Sequence, residues 1–212
     1  MHHPVRLRRS LLVSVAATLL FALAGAPVAS TAHASPPKPS PFPISWELDF
    51  DPGALRLFVD PADGSTWWYF TYQVTNRTPR DQVWAPDLVL FTDAGEILDS
   101  GAGVPTRVTE AIRTLLGNEL LETQSEIIGD LLRGPEHARD GLAVWPAEDL
   151  SINELSLFIG GTSGETARVM HPRTGQQYIL RKMMQRDYLI RGDALANGDD
   201  PVEVVGERWV MR

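Results

Sequence analysis

Residues 66–75 read Thr-Trp-Trp-Tyr-Phe-Thr-Tyr-Gln-Val-Thr, ten positions that are almost all β-branched or aromatic. Such side chains lose χ1 freedom in a helix and pack well on a pleated surface, so this stretch is the strongest strand in the chain. At a period of two, Trp68, Phe70, Tyr72 and Val74 share one face, which is assigned to the core. Trp67, Tyr69, Thr71 and Gln73 share the other. Short strands flank it on both sides. Residues 44–50 alternate apolar and polar, Asp51-Pro52-Gly53 punctuates them, and residues 55–59 form a second short strand. Residues 60–65 have the composition of a turn. Residues 83–92 read as a strand, 93–95 as a tight turn, and 96–99 as the returning half of a hairpin.

The period then changes. Val104, Val108, Ala111, Ile112, Leu115 and Leu116 recur at i, i+4, i+7, i+8, i+11 and i+12, which is one stripe of a helix. Gly117-Asn118 interrupts, and Leu120, Leu121, Ile127, Ile128, Leu131 and Leu132 suggest a second helical stripe ended by Gly134-Pro135. The spacing therefore predicts a two-helix insertion over about 104–133. Strands resume at 141–146 and 154–159. The glycine-rich 160–164 reads as a hairpin-like connection, with 165–170 pairing back. Residues 171–175 turn again, 176–184 continue as a strand with room to reach 190, 191–201 form a loop, and 202–211 close the domain. Nine or ten short strands without sustained strand–helix alternation fit a mainly β, antiparallel sandwich better than a parallel α/β sheet.

The N-terminal region has a different character. Arg6, Arg8 and Arg9 precede an apolar run over 11–26, Pro27 breaks it, and Ala32-His33-Ala34 offers small residues where a signal peptidase reads. Residues 1–34 are expected to be a secretory signal cut after Ala34, with an uncleaved anchor as the alternative. Arg8-Arg9-Ser10-Leu11-Leu12 resembles the twin-arginine motif, and an ordinary Sec signal reads the same way. Residues 35–43 hold five prolines, which fix φ and remove donors, so an extended spacer is expected there. The domain is then 44–212.

Removing the three signal arginines from the 19 basic residues leaves 16 against 27 acidic ones, a formal charge of −11. Such a body is a poor partner for nucleic acid or for anionic lipid, and no second apolar run would insert in a membrane after cleavage. The absence of cysteine excludes disulfides, thiolate metal sites, cysteine nucleophiles and a lipidated N-terminal cysteine.

One resemblance bears on the fold. Residues 72–78 (Tyr-Gln-Val-Thr-Asn-Arg-Thr) followed by 87–98 (Asp-Leu-Val-Leu-Phe-Thr-Asp-Ala-Gly-Glu-Ile-Leu) resemble the "V-x-N-x-(T/S) … D-x-G-x-(I/V)-L" pattern of exported bacterial immunoglobulin-like (FxLYD-like) modules. Residues 141–146 and 154–158 are similar to the strand pair that closes such modules. The match covers about a quarter of the chain after the signal. It implies an immunoglobulin-like antiparallel β-sandwich, with the helices as an insertion, and a generally non-catalytic role. It names no ligand.

The chemistry-bearing residues are few. His137 and His171 sit in loop-like contexts without the serine elbow of a hydrolase. The glycines of 160–164 lack the lysine and following helix of a phosphate loop. The acidic pairs Asp49/Asp51, Asp60/Asp63 and Asp199/Asp200 lack the ligand ladder of a Ca²⁺ loop. No catalytic residue, metal ligand or cofactor is assigned. Trp67 and Tyr69, joined by Trp84 and Trp145, form the candidate binding set, because a flat aromatic row stacks on sugars or anchors a protein. The competing reading is that the helices cover that face. Arg173, Arg181, Lys182, Arg186 and Arg191 form a local basic stretch that could meet an acidic partner. The function expected is an exported, non-catalytic binding or assembly module of the cell envelope, periplasmic or extracellular, with an envelope protein or glycan as partner. The alternative is an extracytoplasmic carbohydrate-binding protein or polysaccharide-active enzyme.

Overall fold

Thr66–Thr75 is a strand over the same ten residues that its pattern predicts, and the fold is organised around it. The structure, a computed structural model, describes residues 37–212; the expected signal at 1–34 and the first two linker residues lie outside them. The elements are β1 Asp49–Val59, β2 Thr66–Thr75, β3 Gln82–Trp84, β4 Asp87–Thr92, β5 Ile97–Asp99, α1 Thr106–Leu116, β6 Glu122–Thr123, β7 Gly129–Leu131, β8 Arg139–Pro146, β9 Glu154–Gly160, β10 Thr166–Met170, β11 Gln177–Leu189 and β12 Glu203–Met211. The fold is mainly β and largely antiparallel. One sheet has the order β1-β2-β8-β6, with only the two-residue β6 parallel to its neighbour. The other runs β10-β11-β9-β4-β5, with β12 also paired to β11, and β3 and β7 form a separate ribbon.

The two faces of β2 enter two different cores. Trp68, Phe70, Tyr72 and Val74 pack with Leu88 and Leu90 of β4, Leu155, Leu157 and Ile159 of β9 and Tyr188 of β11, so the two sheets face each other. On the reverse side, Trp67 and Tyr69 pack with Leu142 and Val144 of β8 and with Val108 and Ile112 of α1. The first sheet is thus covered on both faces around Trp67–Phe70, which is why that part of β2 can be apolar on both sides, while Gln73 further along stays exposed.

Helix α1 matches the first predicted stripe. It ends at Gly117, whose left-handed φ of 61° lets the N–H groups of Gly117 and Asn118 bond back to Thr114 and Arg113. Arg107 ties the helix to the β1–β2 turn by pairing with Asp60 and Asp63. The second predicted helix does not form: residues 122–131 give β6 and β7 instead. Leu121, Ile127 and Leu131 are buried while Leu120, Ile128 and Leu132 are exposed. Around β7 the apolar residues alternate in and out at a period of two, and the adjacent Leu120-Leu121 and Ile127-Ile128 pairs mimic a helical stripe.

Two further boundaries differ from expectation. Asp51-Pro52-Gly53 does not divide residues 44–50 from 55–59; β1 runs through it as one strand with a bulge between Pro52 and Leu55. β1 is an edge strand, where proline costs no ladder bond. Residues 154–159 and 165–170 do not pair with each other. Both pair antiparallel with β11, β9 along residues 184–189 and β10 along 177–181. The glycine-rich 160–164 loops out between them, bonded through Leu48 N–H to Thr162 O at 2.8 Å, and the chain resumes its direction. The polar turn at 76–80 is organised by Asn76. Its amide, fully buried, donates to Arg80 O and Leu131 O at 2.9 Å and accepts from Thr78 N–H at 2.9 Å.

Tyr188 is buried in the main core and its hydroxyl has no hydrogen-bond partner among the described residues. Burial pushes its pKa up to about 12. The folded state therefore holds the neutral phenol while the unfolded chain ionises near pH 10, so this contribution is whole below pH 10 and fades as pH rises toward 12. Tyr188→Phe is expected to be neutral or stabilising by up to about 1–2 kcal/mol at pH 7, because it removes an unpaired polar group. It is also expected to extend stability toward alkaline pH. Thermal melts at pH 7 and 10.5 check both; a clear loss of stability at pH 7 would show that the hydroxyl is satisfied.

Candidate functional site

The four expected aromatics do not form an exposed row. Trp67 is 8 % exposed and Tyr69 is fully buried, both under α1. Trp84 and Trp145 are fully buried in the other core. The helix that the sequence offered as cover does cover that face, which removes the flat platform that a sugar ring would need. The Tyr69 hydroxyl serves the fold instead, donating to Asp199 Oδ1 at 2.6 Å and so holding the 191–201 loop.

The other candidates are also occupied by local structure. Asp49 pairs with Arg77 at 2.7 Å, and Asp60 and Asp63 pair with Arg107. His171 Nδ1 accepts from the N–H groups of Arg173 and Thr174 at 3.3 Å, which closes its turn. His137 stands beside Glu136 on a 3₁₀ turn. Among the described residues no group of three or more His, Cys, Asp or Glu converges as metal ligands would.

The basic stretch divides by strand alternation. Lys182 and Arg186 point inward from β11. Lys182, 2 % exposed, lies between Glu47 at 2.8 Å and Glu165 at 3.6 Å, over the Trp209 ring at 4.6 Å. It also donates to Ser40 O at 3.2 Å, while Ser40 N–H donates to Glu165 Oε1 at 2.8 Å. The proline-rich segment expected to be a plain spacer is therefore fastened to the body at Ser40. Arg186 faces Glu207 at 3.2 Å and Arg191 pairs with Glu203.

Arg173 and Arg181 instead belong to a two-stranded arm, residues 166–181, made by β10 and the first part of β11. No residue of the arm is buried. Arg168 and Ile179 are direct partners, as are Thr166 and Arg181, and Met170 and Gln177, so all six share one open face. Ala167, Val169, Tyr178 and Leu180 form the reverse face. Met170, Tyr178 and Ile179 are among the exposed large apolar residues. Sequence reasoning missed Arg168, Met170, Tyr178 and Ile179, because only the register places them together.

The opposite end of β11 carries a shallow cleft of about 250 Å³. Leu57, Trp68, Ile190 and Val202 floor it, and Arg191, Asn197, Asp200 and Glu203 line its rim. The loop that shapes it is tied down by Tyr69 at Asp199 and by Val202 N–H donating to Leu55 O at 2.8 Å. Leu189 at this end pairs with both Glu154 and Glu203, and Asp93 N–H donates to Glu154 O at 3.1 Å. The β4–β5 turn, the β8–β9 loop and the 191–201 loop thus meet at one pole. No protein family, curated protein or solved structure matches the chain in comparisons with known proteins.

Proposed function

We propose that this chain is an exported, non-catalytic assembly module of the cell envelope, with an immunoglobulin-like sandwich as scaffold, and that it meets a protein partner through the 166–181 arm. The arm carries this reading. A two-stranded hairpin standing alone is marginal in water, and this one buries none of its own residues. Its exposed Met170 and Ile179 share a face with Arg168 and Arg181, with Tyr178 exposed on the reverse face, which is the composition of an interface, apolar anchors joined to arginine. Residues 1–34 supply the export step in this reading.

The test is crosslinking and affinity capture of the tagged full chain from its own host, beside a Met170→Ser/Tyr178→Ser/Ile179→Ser variant. A partner held by the wild type and lost by the variant is expected. Equal capture by both removes the arm from the contact. Mass spectrometry of the exported form is expected to find an N-terminus at Ser35; a chain retained whole in the cytoplasm would overturn export.

A further inference from the structure

We propose that the arm docks on a second copy of this chain, at the acidic pole on the far end of β11, so that molecules associate head to tail. The inference rests on the assembly reading in taking the arm as a contact surface, and it adds the partner.

Charge is unevenly distributed along the molecule. Residues 166–181 contain Arg168, Arg173 and Arg181 and no acid, although the chain as a whole is strongly acidic. Among the described residues, none of these three arginines has an ion-pair partner, whereas nine other arginines of the body do. At the opposite pole the imbalance is reversed. Asp93 and Glu96 on the β4–β5 turn, Glu148 and Glu154 at the two ends of the β8–β9 connection and Asp193 and Asp200 on the 191–201 loop stand at this pole, Asp200 lining the cleft itself, and no described cation pairs with any of them. A group of unpaired cations therefore stands at one end of β11 and a group of unpaired carboxylates at the other.

Distance prevents the two ends from satisfying each other within one molecule. From Arg181 to Leu189 β11 runs eight residues, about 26 Å at 3.3 Å per residue, about three times the Debye length of about 8 Å at physiological salt. A second molecule can bring them together. The arm offers apolar groups with its cations, and the pole offers a cleft with an apolar floor, Asp200 and the Arg191–Glu203 pair on its rim, and unpaired carboxylates on the adjoining loops. Antiparallel pairing of two β10 edges centred on Arg168 would set that arginine against its own copy, an arrangement that like-charge repulsion disfavours. Contact between two different patches is heterologous and builds chains or rings.

Light scattering and sedimentation of the purified full chain test this. Association is expected at about 0.01 M salt and should weaken at least tenfold by about 0.5 M, as the Debye length shrinks. Apolar association through residues 1–34 would not weaken with salt. Arg168→Gln/Arg173→Gln/Arg181→Gln and Glu148→Gln/Glu154→Gln/Asp200→Asn should each be monomeric alone, and an equimolar mixture should give a 1:1 dimer and nothing longer, because each supplies the end the other lacks and the two neutralised ends do not attract. All six residues are exposed or only partly covered, so melting temperatures close to wild type are expected. A monomeric wild type at low salt overturns the inference, as does a mixture that stays monomeric. If the wild type is monomeric while the arm still captures a different protein, self-docking falls and the assembly reading stands.

Discussion

Lys182→Met is expected to destabilise the protein by about 3–5 kcal/mol, the range seen when one partner of a buried ion pair is removed. Methionine conserves the volume of the lysine stem, so packing against Trp209 is largely kept and the loss is electrostatic. Glu165, itself buried, and Glu47 would then face each other without a cation, and Ser40 O would lose its donor. Denaturant titration measures the first effect. The second is read as faster cleavage of residues 37–44 by a nonspecific protease. Glu165→Gln added to Lys182→Met keeps an acceptor for Ser40 N–H and removes one orphaned charge, so the double variant should recover part of the loss. A single variant within about 1 kcal/mol of wild type would show that this site tolerates the two carboxylates alone.

Gly141→Ala is the second large effect. Gly141 lies directly across from Tyr72, whose ring covers it: a Cβ would fall 2.1 Å from Tyr72 Cζ and 2.5 Å from its hydroxyl. The ring has little room to yield. It stacks on Phe50 with centroids 5.0 Å apart, meets Trp84 edge-on at 6.2 Å, and is buried. Overpacking of a dense core costs about 1–3 kcal/mol, and a backbone Cβ against a fixed ring belongs at the upper end. At about 2–4 °C per kcal/mol for a chain of this size, the melting temperature should drop by about 5–10 °C. Tyr72→Leu removes the ring from the clash, so Gly141→Ala should cost much less in that background. Equal costs in the two backgrounds would place the strain elsewhere.

Much of the fold was legible because its signals are local. β2 and its two faces follow from alternation, α1 from a stripe of period near 3.6 closed by Gly117, and the 76–80 turn from Asn and Thr side chains that bond to nearby backbone. The misread helix at 120–132 shows the limit: in a short segment, adjacent apolar pairs satisfy a helical template and a strand template equally. The candidate site was less legible. Trp67, Tyr69, Trp84 and Trp145 are aromatic in any reading, and whether they stand open depends on what packs against them.

By itself the sequence determined that this chain is mainly β, that β2 must have at least one buried face, that a helix sits between strands, and that cysteine chemistry is absent. Tertiary structure alone decided that α1 covers Trp67 and Tyr69, that Lys182 turns inward to fasten Ser40, and that Arg168 shares an open face with Arg181. The separation of unpaired cations on the arm from unpaired carboxylates at the far pole was decided there too. The physical reason is that periodicity reports the direction of a side chain relative to its own backbone. Cover, ion pairing and strand register depend on partners tens of residues away, and local pattern carries no information about which partner arrives.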